Sequence, residues 1–332
     1  MQTLRTPPER FLGLPDYPFA AHYAEVPAYP DRDGAAGRQR LRVHYVDEGD
    51  RGDGRGASGE TVVLLHGQPS WSFLYRRVVP PLVAAGHRVV APDLVGFGKS
   101  DKPARVGDHT YARHTAWLRA LLFDALALRD VTLYAQDWGG LLSLRLVASE
   151  PERFARVMVA NTGLPVAERD SNFTPGDAPR KPGVTVGATL WKTFARWTPV
   201  FPIGRMAQAL ASESALSPEV RAGYDAPFPD RRYLAGPRAM PSLIPMTPGA
   251  EPSRTNREAW RRLAGFERPF RTAFSDKDFA LRFLPVPESF QRHVAGAAGQ
   301  RHVTIEGAGH FLQEDAPEAV AREINAFVAE TP

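Results

Sequence analysis

The chain has 332 residues, 43% of them hydrophobic, enough for one large core or a core that carries an inserted subdomain. Its 41 basic and 37 acidic residues leave a net charge of +4 that is spread without blocks, which argues against a nucleic-acid surface. With no cysteine, disulfides, a thiolate nucleophile and cysteine-based metal sites are excluded; the N-terminus lacks a signal-peptide hydrophobic region, and no run approaches the ~20 apolar residues of a membrane span. The expectation is a cytoplasmic chain, monomeric by default, with no membrane or nucleic-acid partner.

In chain order, residues 23–26 and 41–46 have strand character, the second alternating Leu41, Val43 and Tyr45 against Arg42 and His44. The glycine-rich stretch 50–60 reads as a surface turn. Thr61–Leu65 is a continuous apolar run, a strand buried on both faces, and it ends in His66-Gly67-Gln68-Pro69. A helix is expected over 71–85 and a buried strand over 88–91, ending in Pro92-Asp93. A second helix is expected over 111–128 from the spacing of Trp117, Leu118, Leu121, Leu122 and Leu126. A strand from Val131, a helix over 139–149 and a strand over 155–160 follow.

Between about residues 166 and 262 this rhythm breaks into proline, aromatic residues and short helical fragments. It resumes with strands over 270–274 and 302–305 and helices over 288–295 and 314–329. Strands alternating with helices predict a parallel sheet covered on both faces. The interruption reads as a cap over 166–262, inserted in a core formed by 1–165 and 263–332, a common place for a substrate pocket. No internal repeat is present.

The stretch Val131-Thr-Leu-Tyr-Ala-Gln-Asp-Trp-Gly-Gly140 carries the chemistry. A buried strand breaks at Gln136-Asp137 and restarts as a helix, the strand–turn–helix frame of a nucleophile elbow, with Asp137 where the Ser of G-x-S-x-G would stand. Gly139 and Gly140 let the helix start close under the turn, and its N-terminus favours negative charge. A carboxylate there attacks carbon without a base to activate it.

Such an elbow needs a later acid and a later histidine, in that order. His310 lies in the loop Gly307-Ala-Gly-His-Phe-Leu-Gln-Glu314 between the last strand and the last helix. Asp276 and Asp278 compete for the acid after the strand at 270–274; Asp278, further into the loop, is favoured, with Asp276 a turn residue. After the strand over 155–160, Asn161-Thr162-Gly163 offers no carboxylate. Backbone N–H groups of Gln68 and Trp138 are placed to form an oxyanion hole.

The chain resembles the haloalkane dehalogenases over nearly its whole length, most closely the subfamily that pairs an Asp-His-Asp triad with two halide-binding tryptophans. The resemblance is carried by His44-Tyr45-Val46-Asp47-Glu48-Gly49, His66-Gly67-Gln68-Pro69, Trp71-Ser72-Phe73-Leu74-Tyr75-Arg76 and Gly96-Phe97-Gly98-Lys99-Ser100-Asp101-Lys102-Pro103. It is carried further by Gln136-Asp137-Trp138-Gly139-Gly140, Asp225-Ala226-Pro227-Phe228-Pro229-Asp230 and Gly309-His310-Phe311-Leu312-Gln313-Glu314. It implies an α/β-hydrolase fold: a mostly parallel eight-stranded sheet flanked by helices, with an inserted helical cap. It also implies Asp137 as nucleophile, His310 as base and Asp278 as acid, with halide held by the indoles of Trp138 and, in the cap, Trp191. Trp197, six residues on, competes with Trp191. The family usually has Glu or Asn where this chain has Gln68; a backbone oxyanion role tolerates that change, which alters pocket polarity.

The implied reaction is hydrolysis of a small haloalkane by water to alcohol, halide and proton through an aspartyl ester, with no metal or organic cofactor. An epoxide hydrolase shares the Asp elbow but protonates its alkoxide through cap tyrosines, and Tyr224 and Tyr233 are the only tyrosines after Tyr134. Gln136 stands where epoxide hydrolases commonly have His. A serine esterase is disfavoured because no G-x-S-x-G occurs, and a silent binding homologue because no triad member is missing. The stretch Gly96-Phe-Gly-Lys-Ser100 is not a P-loop, since Asp93 stands where its first glycine belongs.

Overall fold

The computed structural model describes residues 1–30, 38–50, 56–167, 182–279, 281 and 284–331. Eight strands form one sheet: β1 (His22–Pro27), β2 (Arg40–Glu48), β3 (Thr61–Leu65), β4 (Arg88–Pro92), β5 (Val131–Gln136), β6 (Phe154–Ala160), β7 (Phe270–Ser275) and β8 (Val303–Ile305). Their order across the sheet is β8-β7-β6-β5-β3-β4-β2-β1. Only β2 runs against its neighbours; every other pair is parallel.

Every residue of β3, β4 and β5 is buried, which is why their sequences are mostly apolar and do not alternate. The antiparallel edge strand β1 instead has exposed Tyr23 and Glu25 alternating with half-buried His22 and Ala24 and buried Val26, because one of its faces meets water. From β3 the chain steps to β4 on one side and to β5 on the other. That reversal opens a crevice at the carboxyl ends of β3 and β5, the place where open α/β sheets receive their ligands.

Three helices differ from the sequence reading, two of them at prolines. The stretch 71–85 is split into a 3₁₀ turn, Ser72–Tyr75, and α1 (Val79–Ala84), because Pro80 and Pro81 lack the N–H a helix interior requires. The helix after Tyr111 runs as α2 (Tyr111–Arg119) and then widens into a π turn over Ala120–Ala125. The last helix is divided at Pro317 into a short turn, Leu312–Asp315, and a long helix, Pro317–Glu330. Of the turn expected over 50–60, residues 51–55 lie outside the described residues.

The helix α3 (Trp138–Ser149) follows β5 directly. Between β6 and β7 come α4 (Pro182–Trp197), α5 (Ile203–Leu210), α6 (Pro218–Asp225), α7 (Ala235–Leu243) and α8 (Glu251–Leu263). The last of these lies on the core: Arg145 of α3 donates to Asn256 at 2.8 Å, and Asn256 and Trp260 donate to the carbonyls of Pro165 and Leu164 at 2.7 and 2.8 Å. Residues 168–181 of the expected cap lie outside the described residues.

Under the crevice Asp93, at the end of β4, is fully buried and ties three loops together. Its carboxylate accepts from the backbone N–H of Ser72 at 2.8 Å and of Lys99 at 2.7 Å, and from the His44 imidazole at 2.7 Å. Its burial favours the neutral acid, but His44, His66 and the two amides outweigh that and hold the carboxyl well below its usual range. Asp93→Ala leaves His44 and both N–H groups buried without an acceptor. The expected loss is about 3–5 kcal/mol of unfolding free energy, checked by urea denaturation.

Candidate active site

Asp137 is the single residue between β5 and α3, and it makes the turn alone, with φ 49° and ψ −126°. A side chain held at positive φ costs ~1–3 kcal/mol, so its neighbours must fix it. The Asp137 N–H donates to Asn161 O at 3.2 Å, and its carbonyl accepts from Thr162 Oγ1 at 2.6 Å and from the N–H groups of Gly140 and Leu141 at 3.0 and 3.1 Å. Space is tight on the β3 side: a Cβ at Gly67 would strike the Asp137 carboxylate, and one at Gly139 would strike the Leu65 carbonyl. That is the packing reason for those two glycines.

The Gln68 N–H donates to Asp137 Oδ1 at 2.7 Å. The Gln68 side chain turns away and donates to the Pro237 carbonyl of α7 at 3.2 Å. Trp138 begins α3, where the backbone N–H has no partner within the helix. Its ring is buried, edge-on to Tyr111 at 5.3 Å. The other buried tryptophans, Trp71, Trp117 and Trp260, each donate the indole N–H to a carbonyl. The Trp138 indole makes no hydrogen bond to any described residue.

His310 lies between Ile305, the end of β8, and the Leu312–Asp315 turn, with its Nε2 3.5 Å from Asp137 Oδ2 and its Nδ1 2.7 Å from Asp278 Oδ2. Asp278 is buried, and its other oxygen accepts from the Leu281 N–H at 3.2 Å. Asp276 turns outward and accepts from the Ala308 N–H at 3.3 Å. Burial opposes a charge on His310, but Asp278 and then Asp137 outweigh it, and the imidazole is pushed up to about 10.

Two amides brace the His310 loop that sequence reasoning did not assign. Gln136 Nε2 donates to His310 O at 3.1 Å. Asn161 Nδ2 reaches Ser275 Oγ at 2.7 Å and the carbonyls of Gly309 and His310 at 3.0 and 3.2 Å, while Asn161 Oδ1 accepts from the Ser275 N–H at 2.9 Å. The available signal was a polar amide closing each of two buried central strands, where it must find partners.

The fold thus brings Asp137, His310, Asp278, Gln68 and Trp138 to one end of the sheet. Trp191 lies on α4, half-buried, stacked on Phe194 at 5.8 Å and tilted against Phe201 at 6.2 Å. No hydrogen bond or ring contact among the described residues links it to Asp137 or Trp138. Trp197, at the end of the same helix, is 75% exposed.

The α/β hydrolase fold family model matches residues 60–317. The haloalkane dehalogenase of Mycobacterium marinum is 44% identical over 98% of this chain and 99% of its own length. That of Psychrobacter cryohalolentis is 44% identical over the full length of both chains. Among solved structures, the tetrameric haloalkane dehalogenase of Paraglaciecola agarilytica superposes with a TM-score of 0.79 at 31% identity, covering 97% of each chain. The carboxylate elbow, the histidine behind it and likeness at this level over the whole length lead to one assignment: the chain belongs to the haloalkane dehalogenases, hydrolases of the α/β-hydrolase fold.

Proposed function

We propose that Asp137 is the nucleophile, His310 the base, Asp278 the residue that orients His310, and Trp138 and Trp191 the halide donors. Oδ1 of Asp137 is engaged by the Gln68 N–H, which leaves Oδ2 to attack the substrate carbon. The new carbon–oxygen bond forms as the carbon–halogen bond breaks, and its electron pair leaves on the halide. A carbon–halogen bond offers no carbonyl to polarise, so help at the leaving group comes from donors, and an indole donates only. The observation that carries the reading is the buried indole of Trp138, the residue after Asp137, which has no acceptor among the described residues, whereas the other buried indoles have one. The exposure of Trp197 supports Trp191 as the second donor.

Water then attacks the ester carbon, His310 takes its proton, and the N–H groups of Gln68 and Trp138 hold Oδ1 as it becomes an oxyanion. The Tyr224 hydroxyl, the natural acid for an epoxide, is spent on Glu314 and fully buried, which speaks against that alternative. We further propose that the cap spans residues 166–262 over a core of 1–165 and 263–332, with α8 resting on the core. We also propose a monomer as the working unit.

With 1,2-dibromoethane or 1-bromobutane in weak buffer, bromide and protons should appear in equal amounts over many turnovers. Asp137→Ala should release no bromide, and His310→Ala should release about one per site and stall as an ester; sustained turnover in the His310 variant overturns the mechanism. Trp138→Phe removes one charge-assisted hydrogen bond and should slow alkylation by roughly 10- to 100-fold, read from the bromide burst.

The pH behaviour follows from the two carboxylates on His310. In the resting enzyme its NMR titration should show an imidazolium up to about pH 10. Asp137→Asn, neutral like the ester, should lower that midpoint. Because neutral imidazole is the base, ester hydrolysis should rise with pH through this lower midpoint.

A further inference from the structure

Trp71–Arg76, the residues around Tyr224 and the residues after His310 are far apart in sequence but meet at one buried point. The Arg76 guanidinium grips Glu314, Nη1 to Oε1 at 2.5 Å and Nη2 to Oε2 at 2.9 Å. The Tyr224 hydroxyl, from α6, makes a short hydrogen bond to Oε1 of the same carboxylate. All three side chains are buried. Phe73 lies 4.2 Å under the Arg76 guanidinium and edge-on to Tyr224 at 5.3 Å. Tyr224 in turn packs on Phe311 at 6.0 Å, and the His310 ring stacks on the other side of that contact at 6.0 Å.

A buried ion pair brings little net stability over apolar packing, and Arg76 alone already matches the charge of Glu314. The added Tyr224 hydroxyl therefore calls for another reason, and its place supplies one. Gln136 and Asn161 hold the backbone of His310 from the sheet side. The other side of the loop is held by the cap, through Phe311 N–H to Leu210 O at 2.9 Å and through Tyr224 to Glu314.

We propose that Tyr224 and Glu314 are positioning residues that lock the His310 loop to the cap for the second half of the reaction. The inference rests on the proposed roles of Asp137 and His310. Alkylation uses Asp137 and the halide donors but not His310, so a loop set slightly out of place leaves the first step alone. Hydrolysis needs the imidazole, water and ester carbon in line, and it slows. Burial, then the Glu314 charge, raises the Tyr224 hydroxyl well above its ordinary range, so it remains a donor throughout.

Tyr224→Phe keeps the ring and removes only the hydroxyl. Rapid-quench kinetics with 1,2-dibromoethane should show a bromide burst within about twofold of the parent, about tenfold slower ester hydrolysis, and alkyl-enzyme accumulating by intact mass. Glu314→Gln, which keeps shape but loses charge, should give the same signature more strongly. Equal slowing of burst and hydrolysis in both variants, as a purely structural role produces, overturns the proposal, and so does hydrolysis as fast as in the parent. If no alkyl-enzyme forms even in His310→Ala, the assignment of Asp137 itself fails; if it forms there and Tyr224→Phe behaves as the parent, only the positioning role fails.

Discussion

The backbone of one residue governs this molecule. Asp137 stands at φ 49° between a buried strand and a buried helix, and the strain lifts its carboxylate out of the sheet into the crevice. Nothing in Asp137 itself favours that conformation. It persists because β5 is clamped between β3 and β6, so the turn has no freedom to relax. Three hydrogen bonds to its carbonyl and one from its N–H offset a strain of ~1–3 kcal/mol. The glycines on the β3 side, the threonine after β6 and the helix N-terminus under the carboxylate all answer to this one placement.

The remaining site residues sit on loops, and loops are precise only when braced. Here the braces are side-chain amides at the carboxyl ends of central strands, which span from one strand end to the next. A carboxylate at those positions would meet backbone carbonyls, whereas an amide donates to them and, in Asn161, accepts from the Ser275 N–H as well. The absence of an acid after β6 thus has a positive reason: the position is occupied by the fastener that carries the His310 loop. Opposite that fastener the loop meets α5 and α6, through the Phe311 N–H on the Leu210 carbonyl and the Tyr224 hydroxyl on Glu314.

How much of this was legible in the sequence depended on whether the information was local. The elbow lies in ten consecutive residues, and periodicity, glycine spacing and the break at Asp137 are enough to read it. The strands themselves, though not their order across the sheet, were readable in outline because buried parallel strands leave largely apolar runs. Pro80, Pro81 and Pro317 were visible too, and reading helices through them gave spacing more weight than a missing N–H. The choice between Asp276 and Asp278 was different: both lie in one loop, and only tertiary burial separates the side chain that meets His310 from the one that meets the Ala308 N–H. Trp191 and Trp197 are about 120° apart around a helix at roughly 100° per residue, so they present different faces. Which face turns inward is set by packing that the sequence of the helix does not contain. The tie between Tyr224 and Glu314 is less local still, since it joins residues 90 apart.

An imidazole pushed up to about 10 by two neighbouring carboxylates looks ill suited to act as a base. The difficulty disappears when charge is followed through the proposed cycle, with Asp137 as nucleophile and His310 as base. In the resting site two carboxylates face one imidazolium, and burial alone would have expelled that proton. Alkylation turns Asp137 into a neutral ester and removes one of the two charges that kept it there. His310 then loses its proton to solvent and becomes able to accept one from water. Hydrolysis returns Asp137 to a carboxylate and His310 to an imidazolium, so both are restored together as the alcohol departs. In that proposed cycle the proton released to solvent belongs to the alkylation half, although it is the hydrolytic half that consumes water. The contact at 3.5 Å between Asp137 and His310 is a geometric relation and, in the proposed cycle, also the means by which the first step prepares the second.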